Sequence, residues 1–174
     1  MSGLGHLIRK ITTDDYEAVA ALVASAFKRQ DEATLVRKLW AQHATKIERV
    51  TEISGVIVGY CAFSPVTSKP DLDGLLLGLG PLAVAPEHQN QGIGTELVRT
   101  GLKLCEDNNA RLIAVLGDPN YYARFGFEPA SKRKMTWAGF DAGDAFRVIS
   151  HDNVDVETDD IRTIHYHPAF DIVS

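Results

Sequence analysis

The sequence is short of cysteine, of long apolar runs and of basic charge, and each shortage closes off a class of protein. Its two cysteines, Cys61 and Cys105, fall inside a predicted strand and a predicted helix, where a reduced, buried thiol is expected rather than a cysteine that carries an acyl group. No stretch approaches the roughly eighteen consecutive apolar residues of a membrane-spanning helix. The opening Met1-Ser2-Gly3-Leu4-Gly5-His6 has no charged-then-apolar leader, so the expectation is a cytoplasmic protein with no membrane partner. Lys and Arg (18) are outnumbered by Asp and Glu (23), giving a formal net charge of -5. A non-specific nucleic-acid partner calls for a basic stripe, so no nucleic acid is expected; a small acidic bias mildly favours cationic substrates such as amines. Repeats, low-complexity tracts and linkers are also missing, and residues 1–174 are read as a single domain.

What is present is an α/β succession of segments. Residues 7–11 read as a strand, and Thr12 or Thr13 caps a helix whose apolar face is Tyr16, Val19, Ala20, Val23 and Phe27. Residues 31–42 give a second helix, with Leu35, Val36, Leu39 and Trp40 inward. Residues 47–53 and 56–64 flank Ser54-Gly55 as a hairpin, 65–74 read as a polar loop, and 75–85 as a long, almost wholly apolar strand. Pro81 inside that strand has no N–H to give to a ladder, so a bulge or a break in pairing is expected there. A helix over 94–107 leads to a strand over 111–116, a right-handed crossover that makes the two strands parallel. Late strands follow at 145–150 and 162–166. Between them Asp152, Asp155, Glu157, Asp159 and Asp160, with no basic residue, read as a solvated turn.

The densest functional signal lies where the long strand ends. An apolar run stops at Pro86, the polar Glu87-His88-Gln89-Asn90-Gln91 follows, and Gly92 and Gly94 open a helix whose Leu97, Val98, Leu102 and Cys105 fall at helical spacing. The first N–H groups of a helix have no intrahelical partner, its dipole adds positive charge, and glycine lets backbone approach a ligand closely. Such a loop is built to hold a phosphate. Gly94 is followed by Thr95-Glu96, not Lys-Ser or Lys-Thr, which excludes a nucleoside-triphosphate loop. Gly78-x-Gly80-x-x-Ala83 fits the dinucleotide fingerprint only in its letters, because it runs within a strand and opens no helix.

Gln89-x-x-Gly92-x-Gly94, after a strand ending Ala83-Val84-Ala85-Pro86, resembles the coenzyme A signature of the GNAT superfamily of N-acetyltransferases. Gly117-Asp118-Pro119-Asn120, a turn with a potential helix cap, leads into Tyr121-Tyr122-Ala123-Arg124-Phe125-Gly126-Phe127, which is similar to that family's closing helix and Tyr-x-x-x-Gly-Phe element. Aligned on Gly126-Phe127, the tyrosine that faces the coenzyme sulfur in the family is Tyr122. The segment Gly80-Pro81-Leu82-Ala83-Val84 and the ending His167-Pro168-Ala169-Phe170 further resemble the YhbS-type branch. The likeness runs from about Ile8 to Phe170. It implies the GNAT fold: one domain, a mixed and mostly antiparallel central sheet with one parallel strand–helix–strand crossover, and flanking helices. It implies acetyl-CoA as cosubstrate, no metal, a primary amine of a small molecule or protein as acceptor, and a monomer or homodimer. The coenzyme's pyrophosphate would lie over Gln89, Asn90, Gln91, Gly92, Ile93, Gly94 and Thr95. Its acetyl-pantetheine would enter the splay beside Leu82, Ala83 and Val84.

Acetyl transfer requires that the amine lose a proton, that the thioester oxygen be polarised and that the departing thiolate be protonated. A backbone N–H near Leu82, Ala83 or Val84 suits the second task. Tyr122, with an ordinary phenol pKa of about 10, suits the third. The first has no obvious agent: residues 75–85 hold no carboxylate, where many relatives place a Glu. The family's Asn is also displaced, and Asp118-Pro119-Asn120 occupies its neighbourhood, bringing Asn120 to the coenzyme. Asp118 takes a proton through water, binds the coenzyme or fixes the turn; Asp31, Glu32 and a water chain are further candidates. Gln89-Asn90-Gln91 carries no charge, so phosphate binding falls to backbone amides and Gln side chains, with Arg124 or Arg99 adding charge. His165 and His167 share one strand face, but no third ligand is evident and they read as strand residues. The missing strand carboxylate leaves a second reading, a non-catalytic acyl-CoA-binding or sensor protein.

Overall fold

The computed structural model describes residues 5–151 and 160–173. Strand β1 (His6–Lys10) leads to a 3-10 turn at Thr13–Asp15 and then to α1 (Tyr16–Phe27). Thr12 is the capping position: its N–H (2.8 Å) and hydroxyl (3.1 Å) both donate to the Asp15 carboxylate, which also receives two bonds from Arg9, at 2.7 and 2.9 Å. Lys28, left-handed at φ 56°, ends α1, and α2 (Gln30–Ala41) follows. The hairpin is β2 (Ile47–Ile53) and β3 (Val56–Pro65). Next come β4 (Thr67–Lys69), the long β5 (Leu75–Val84), α3 (Ile93–Asp107) and β6 (Ala110–Leu116). The chain closes with α4 (Pro119–Ala123), β7 (Glu128–Pro129), β8 (Met135–Trp137), β9 (Phe146–Ser150) and β10 (Arg162–His165).

The central sheet has the order β1-β2-β3-β5-β6-β9-β7, and only β5–β6 is parallel within it. A second, three-stranded sheet runs β4-β10-β8. The stretch 65–74, read as loop, therefore holds a strand. The two- and three-residue strands β7 and β8 are too short for any alternation to show in sequence. Asp152, Asp155, Glu157 and Asp159 lie outside the described residues, and Asp160 is exposed.

Alternation along β3 divides the core. Gly59 and Phe63 face α3: a Cβ on Gly59 would stand 2.9 Å from the Leu97 side chain, and one on Gly101 only 2.2 Å from the Phe63 ring. Tyr60 points to the other face, where its hydroxyl and the Trp40 indole each donate to Glu48 at 2.6 Å. Val19, Val23, Val36, Leu77, Leu97 and Val98 complete this core, each worth roughly 1.5–3 kcal/mol of burial. A smaller core of Leu76, Leu112, Val148, Met135 and Ile164 joins the two sheets.

The feature that positions the site is a fork in the sheet. Cys61 pairs with Leu82 and Phe63 with Leu79, so Ala62 alone stands opposite Gly80 and Pro81: the bulge expected at Pro81. On the other side β5 pairs with β6 only as far as Leu79↔Val115. Beyond that point β5 stays with β3, whereas β6 follows β9 through Leu116↔Phe146. Tyr166 sits at the closed end of the fork, its hydroxyl 3.0 Å from the Ala114 carbonyl and 3.4 Å from that of Leu79. A Cβ on Gly78 would lie 2.6 Å from the Tyr166 ring, so this glycine makes room for the tyrosine and not for a dinucleotide.

Candidate active site

The glycine loop closes the open end of the fork. Asn90 (φ 61°) and Gly92 (φ 86°) are both left-handed and turn the chain into α3, with Gly92 as its N-cap. A Cβ on Gly92 would meet nothing within 4 Å, while one on Gly94 would sit 3.1 Å from the Tyr121 hydroxyl and 3.6 Å from the Val84 side chain. Open space above a helix N-terminus, beside a glycine, fits a phosphate. Two glutamines are engaged within the loop: Gln89 Nε2 donates to the Val84 carbonyl (3.0 Å) and Gln91 Nε2 to that of Glu87 (3.3 Å). Gln89 thus ties the loop to the strand and Gln91 ties it to its own start, which leaves the N–H groups at the helix start open to an anion. Arg124 is exposed, its guanidinium 4.7 Å from the centre of the Tyr121 ring; Arg99 is exposed on α3.

Inside the fork, the N–H of Ala85 donates to the Val58 carbonyl at 2.8 Å. By the two-residue period of a strand, the N–H of Ala83 also faces β3, and those of Leu82 and Val84 face the opening. They are donors placed beside the fork with no strand to serve.

Helix α4 begins at Asp118, whose Oδ1 accepts from the N–H groups of Asn120 (2.9 Å) and Tyr121 (3.4 Å). Asp118 is thus the cap that fixes the turn, and it also lines the cavity below. Asn120 is exposed in the first turn. The Tyr122 ring lies on Gly117, where a Cβ would come within 2.5 Å of it, and meets Phe127 edge-on at 5.8 Å. Burial pushes the Tyr122 phenol well above its ordinary value, with Tyr121, Cys61 and Asp118 adding to the shift. Its proton is therefore retained at neutral pH.

The fork opens into a cavity of about 660 Å³. Its polar, titratable lining includes Tyr121, Tyr122, Tyr166, Asp118 and one group that sequence reasoning named only in passing, Glu32. Glu32 is 8% exposed, and burial raises its carboxyl above the usual range, opposed by Arg29. The signal that finds it is position: it belongs to the stripe Glu32, Leu35, Val36, Leu39 and Trp40 that α2 buries, a carboxylate in an apolar face. Asp31 is exposed and paired with Arg29 at 2.8 Å. Phe27, read as core, is 40% exposed at the cavity rim. Trp137, Phe140, Tyr166 and Phe170 also line the cavity; none was singled out for the site, because segments far apart in sequence bring them there.

The other candidates resolve simply. Cys61 and Cys105 are buried, with their thiols pushed up to about 12 by burial, and are poor nucleophiles. His167 accepts from the N–H of Ala169 through Nδ1 (3.1 Å). Among the described residues no group of three or more His, Cys, Asp or Glu side chains is placed to hold a metal ion, and no helix is long and apolar enough to cross a membrane.

A forked sheet, a glycine-opened helix beside it and a half-buried tyrosine at the split suit an enzyme that takes a phosphate-bearing carrier. The comparisons narrow this. A sequence model of the acetyltransferase (GNAT) family matches residues 8–127. The N-acetyltransferase YhbS of Escherichia coli K12 is 34% identical over 145 residues, covering 82% of this chain and 85% of YhbS. The crystal structure of YhbS from Escherichia coli in complex with CoA superposes with a TM-score of 0.87 at 30% identity, over 97% of this chain and 93% of that one. A GNAT acetyltransferase from Brucella melitensis in complex with acetyl-CoA gives 0.78 at 32% identity, over 95% and 98%. The chain belongs to the GNAT family and is an N-acetyltransferase of that family's mixed α/β fold.

Proposed function

We propose that the protein moves an acetyl group from acetyl-CoA to a primary amine of a small molecule or protein, by direct attack in the fork, with Tyr122 as general acid. The observation that carries this is that the Gly94 helix start, the end of β5 at Val84 and the Tyr121–Tyr122 pair come together at the split in the sheet. Bound acetyl-CoA supplies the thioester. The N–H groups from Gln91 to Thr95 hold its pyrophosphate, and those of Leu82 and Val84 polarise the thioester carbonyl. The amine nitrogen attacks the carbonyl carbon; as the C–N bond forms and the C–S bond breaks, Tyr122 gives its proton to the sulfur. Two protons leave the nitrogen, one restoring Tyr122 and one passing to solvent. They leave through water, and Asp118, whose Oδ2 is free of the cap, draws them out.

Thiol release from acetyl-CoA across a panel of amines, with the acetylated products weighed by mass spectrometry, tests this. Turnover is the expected result. Tight coenzyme binding with no product from any amine refutes it in favour of a non-catalytic acyl-CoA sensor, the reading to which the carboxylate-free β5 points.

A further inference from the structure

The cavity below the fork carries more information than its position. Its walls are Phe27 at the end of α1, Leu35 on α2, Trp137 at the end of β8 with Phe140 after it, and Phe170 and Val173 at the end of the described chain. Among the described residues that line it, the charged side chains are Glu32 and Asp118, and there is no Lys, Arg or His. Asp118 is exposed and caps α4 through Oδ1. Glu32 is 8% exposed and makes no side-chain hydrogen bond or ion pair among the described residues, although the charge of Arg29 favours its ionised form. Its carboxylate oxygens are not sealed from solvent, so a cation that enters the cavity can pair with it there.

The rim points the same way. Six large hydrophobic side chains are notably exposed among the described residues, and Phe27 (40%), Leu116 (37%) and Phe140 (57%) all belong to this one cavity. Apolar surface gathered at the mouth of a cavity marks the place where an apolar body is bound.

The geometry points to a specific acceptor: a primary amine on an apolar aromatic or branched-alkyl body that carries no acidic group, its ammonium received by Glu32 and its body packed against Phe27, Trp137, Phe140 and Phe170. This assignment rests on the acetyltransferase reading for its chemistry, but the binding it describes is separable from turnover. Two carboxylates and no cation in the lining repel amino acids and phosphorylated amines. The apolar walls give nothing to hydroxyl-rich amino sugars or to polyamines with several buried charges.

The test uses the whole protein with phenethylamine, ethanolamine, phenylalanine, glucosamine and a lysine-containing peptide. It measures both thiol release and amine binding by calorimetry in the presence of CoA. Phenethylamine should exceed ethanolamine in kcat/KM by about 10- to 100-fold, the worth of burying a phenyl group. It should exceed phenylalanine, which differs only by a carboxylate, by on the order of 100-fold. Glu32→Gln should weaken phenethylamine binding by on the order of 30-fold while leaving CoA affinity unchanged. Phe140→Leu, a milder change at an exposed site, should weaken phenethylamine without weakening ethanolamine.

If phenethylamine binds in a Glu32-dependent way but no amine is acetylated, the site assignment stands and the acetyltransferase proposal falls. If the peptide, glucosamine or phenylalanine is acetylated in preference to phenethylamine, acetyl transfer stands and the assignment is overturned. Failure of phenethylamine either to bind or to react overturns it as well, as does a Glu32→Gln protein that binds phenethylamine as the parent does.

Discussion

Replacing Tyr122 by phenylalanine removes one oxygen and leaves the ring against Gly117 and Phe127. The hydroxyl has no hydrogen-bond partner among the described residues, so the loss of stability should stay under about 1 kcal/mol. The loss of rate should be far larger. A positioned general acid is worth on the order of 10²-fold, or about 2.7 kcal/mol at 1.36 per tenfold, and it should appear in kcat with little change in coenzyme affinity. The neighbouring tyrosine provides the control, because the two phenols serve different places. The Tyr121 hydroxyl lies 3.1 Å from the Cβ position of Gly94, at the coenzyme loop, so Tyr121→Phe should alter the KM for acetyl-CoA a few-fold and spare kcat. The raised pKa of Tyr122 adds a pH signature. An acid whose pKa lies above the ordinary phenol value of about 10 keeps its proton past that point, so the parent enzyme should show no alkaline fall in kcat below about pH 10. Steady-state kinetics in saturating amine, followed by thiol release, measure all three quantities. Full turnover by Tyr122→Phe, or a larger fall in kcat for Tyr121→Phe, would refute the assignment.

Gly92→Val places a β-branched residue at φ 86°, at a cost of roughly 1–2 kcal/mol, and fills the open space above the helix start. CoA affinity should fall at least about tenfold while a cooperative melt survives, and an unchanged Kd in calorimetry means the loop has been misread. Asp118→Asn preserves a good cap and should cost less than about tenfold in kcat; a drop of several orders of magnitude in folded, CoA-binding protein would make Asp118 the direct base. Arg9, by its hydrogen bonds, holds Asp15 down at about 2, against the carboxyl's usual value of about 4. A depressed carboxylate stabilises above its unfolded pKa, and the contribution is lost as pH falls through the folded one. Parent and Asp15→Asn should therefore differ by on the order of 1–2 kcal/mol at pH 7, with most of that gap gone by about pH 2. Urea melts at both pH values give the comparison, and a gap that persists in acid rules out the ion pair as its source.

What was legible in the sequence was what chemistry places locally. The loop from Pro86 to Gly94 announces itself because glycine positions, a proline stop and the start of an apolar helical stripe are neighbours in sequence. The bulge was visible for the same reason, in a single Pro81 inside an apolar strand. The cavity was not. Its walls come from the end of α1, from α2, from the end of β8 and the segment after it, and from the last turn at Pro168–Ile172, and the second sheet carries the late ones through β8 and β10. Strands of two or three residues carry too little periodicity to reveal that sheet. Glu32 lay between the two cases: its place in the buried stripe of α2 is readable, but what that stripe faces is not.

The part of the chain recognised by the family pattern stops at Phe127, yet Tyr166, well beyond it, bolts β5 to β6 where the sheet divides. Trp137, Phe140, Phe170 and Val173, which shape the cavity, lie beyond that boundary as well. The cavity is therefore shaped from both sides of that boundary, with Phe27, Glu32 and Leu35 before it and Trp137, Phe140 and Phe170 after it. A change at position 166 is felt on both sides, since the same phenol borders the cavity and bonds the two strands at the point where they part. Other lining side chains can be exchanged one at a time, provided that this one bolt stays in place.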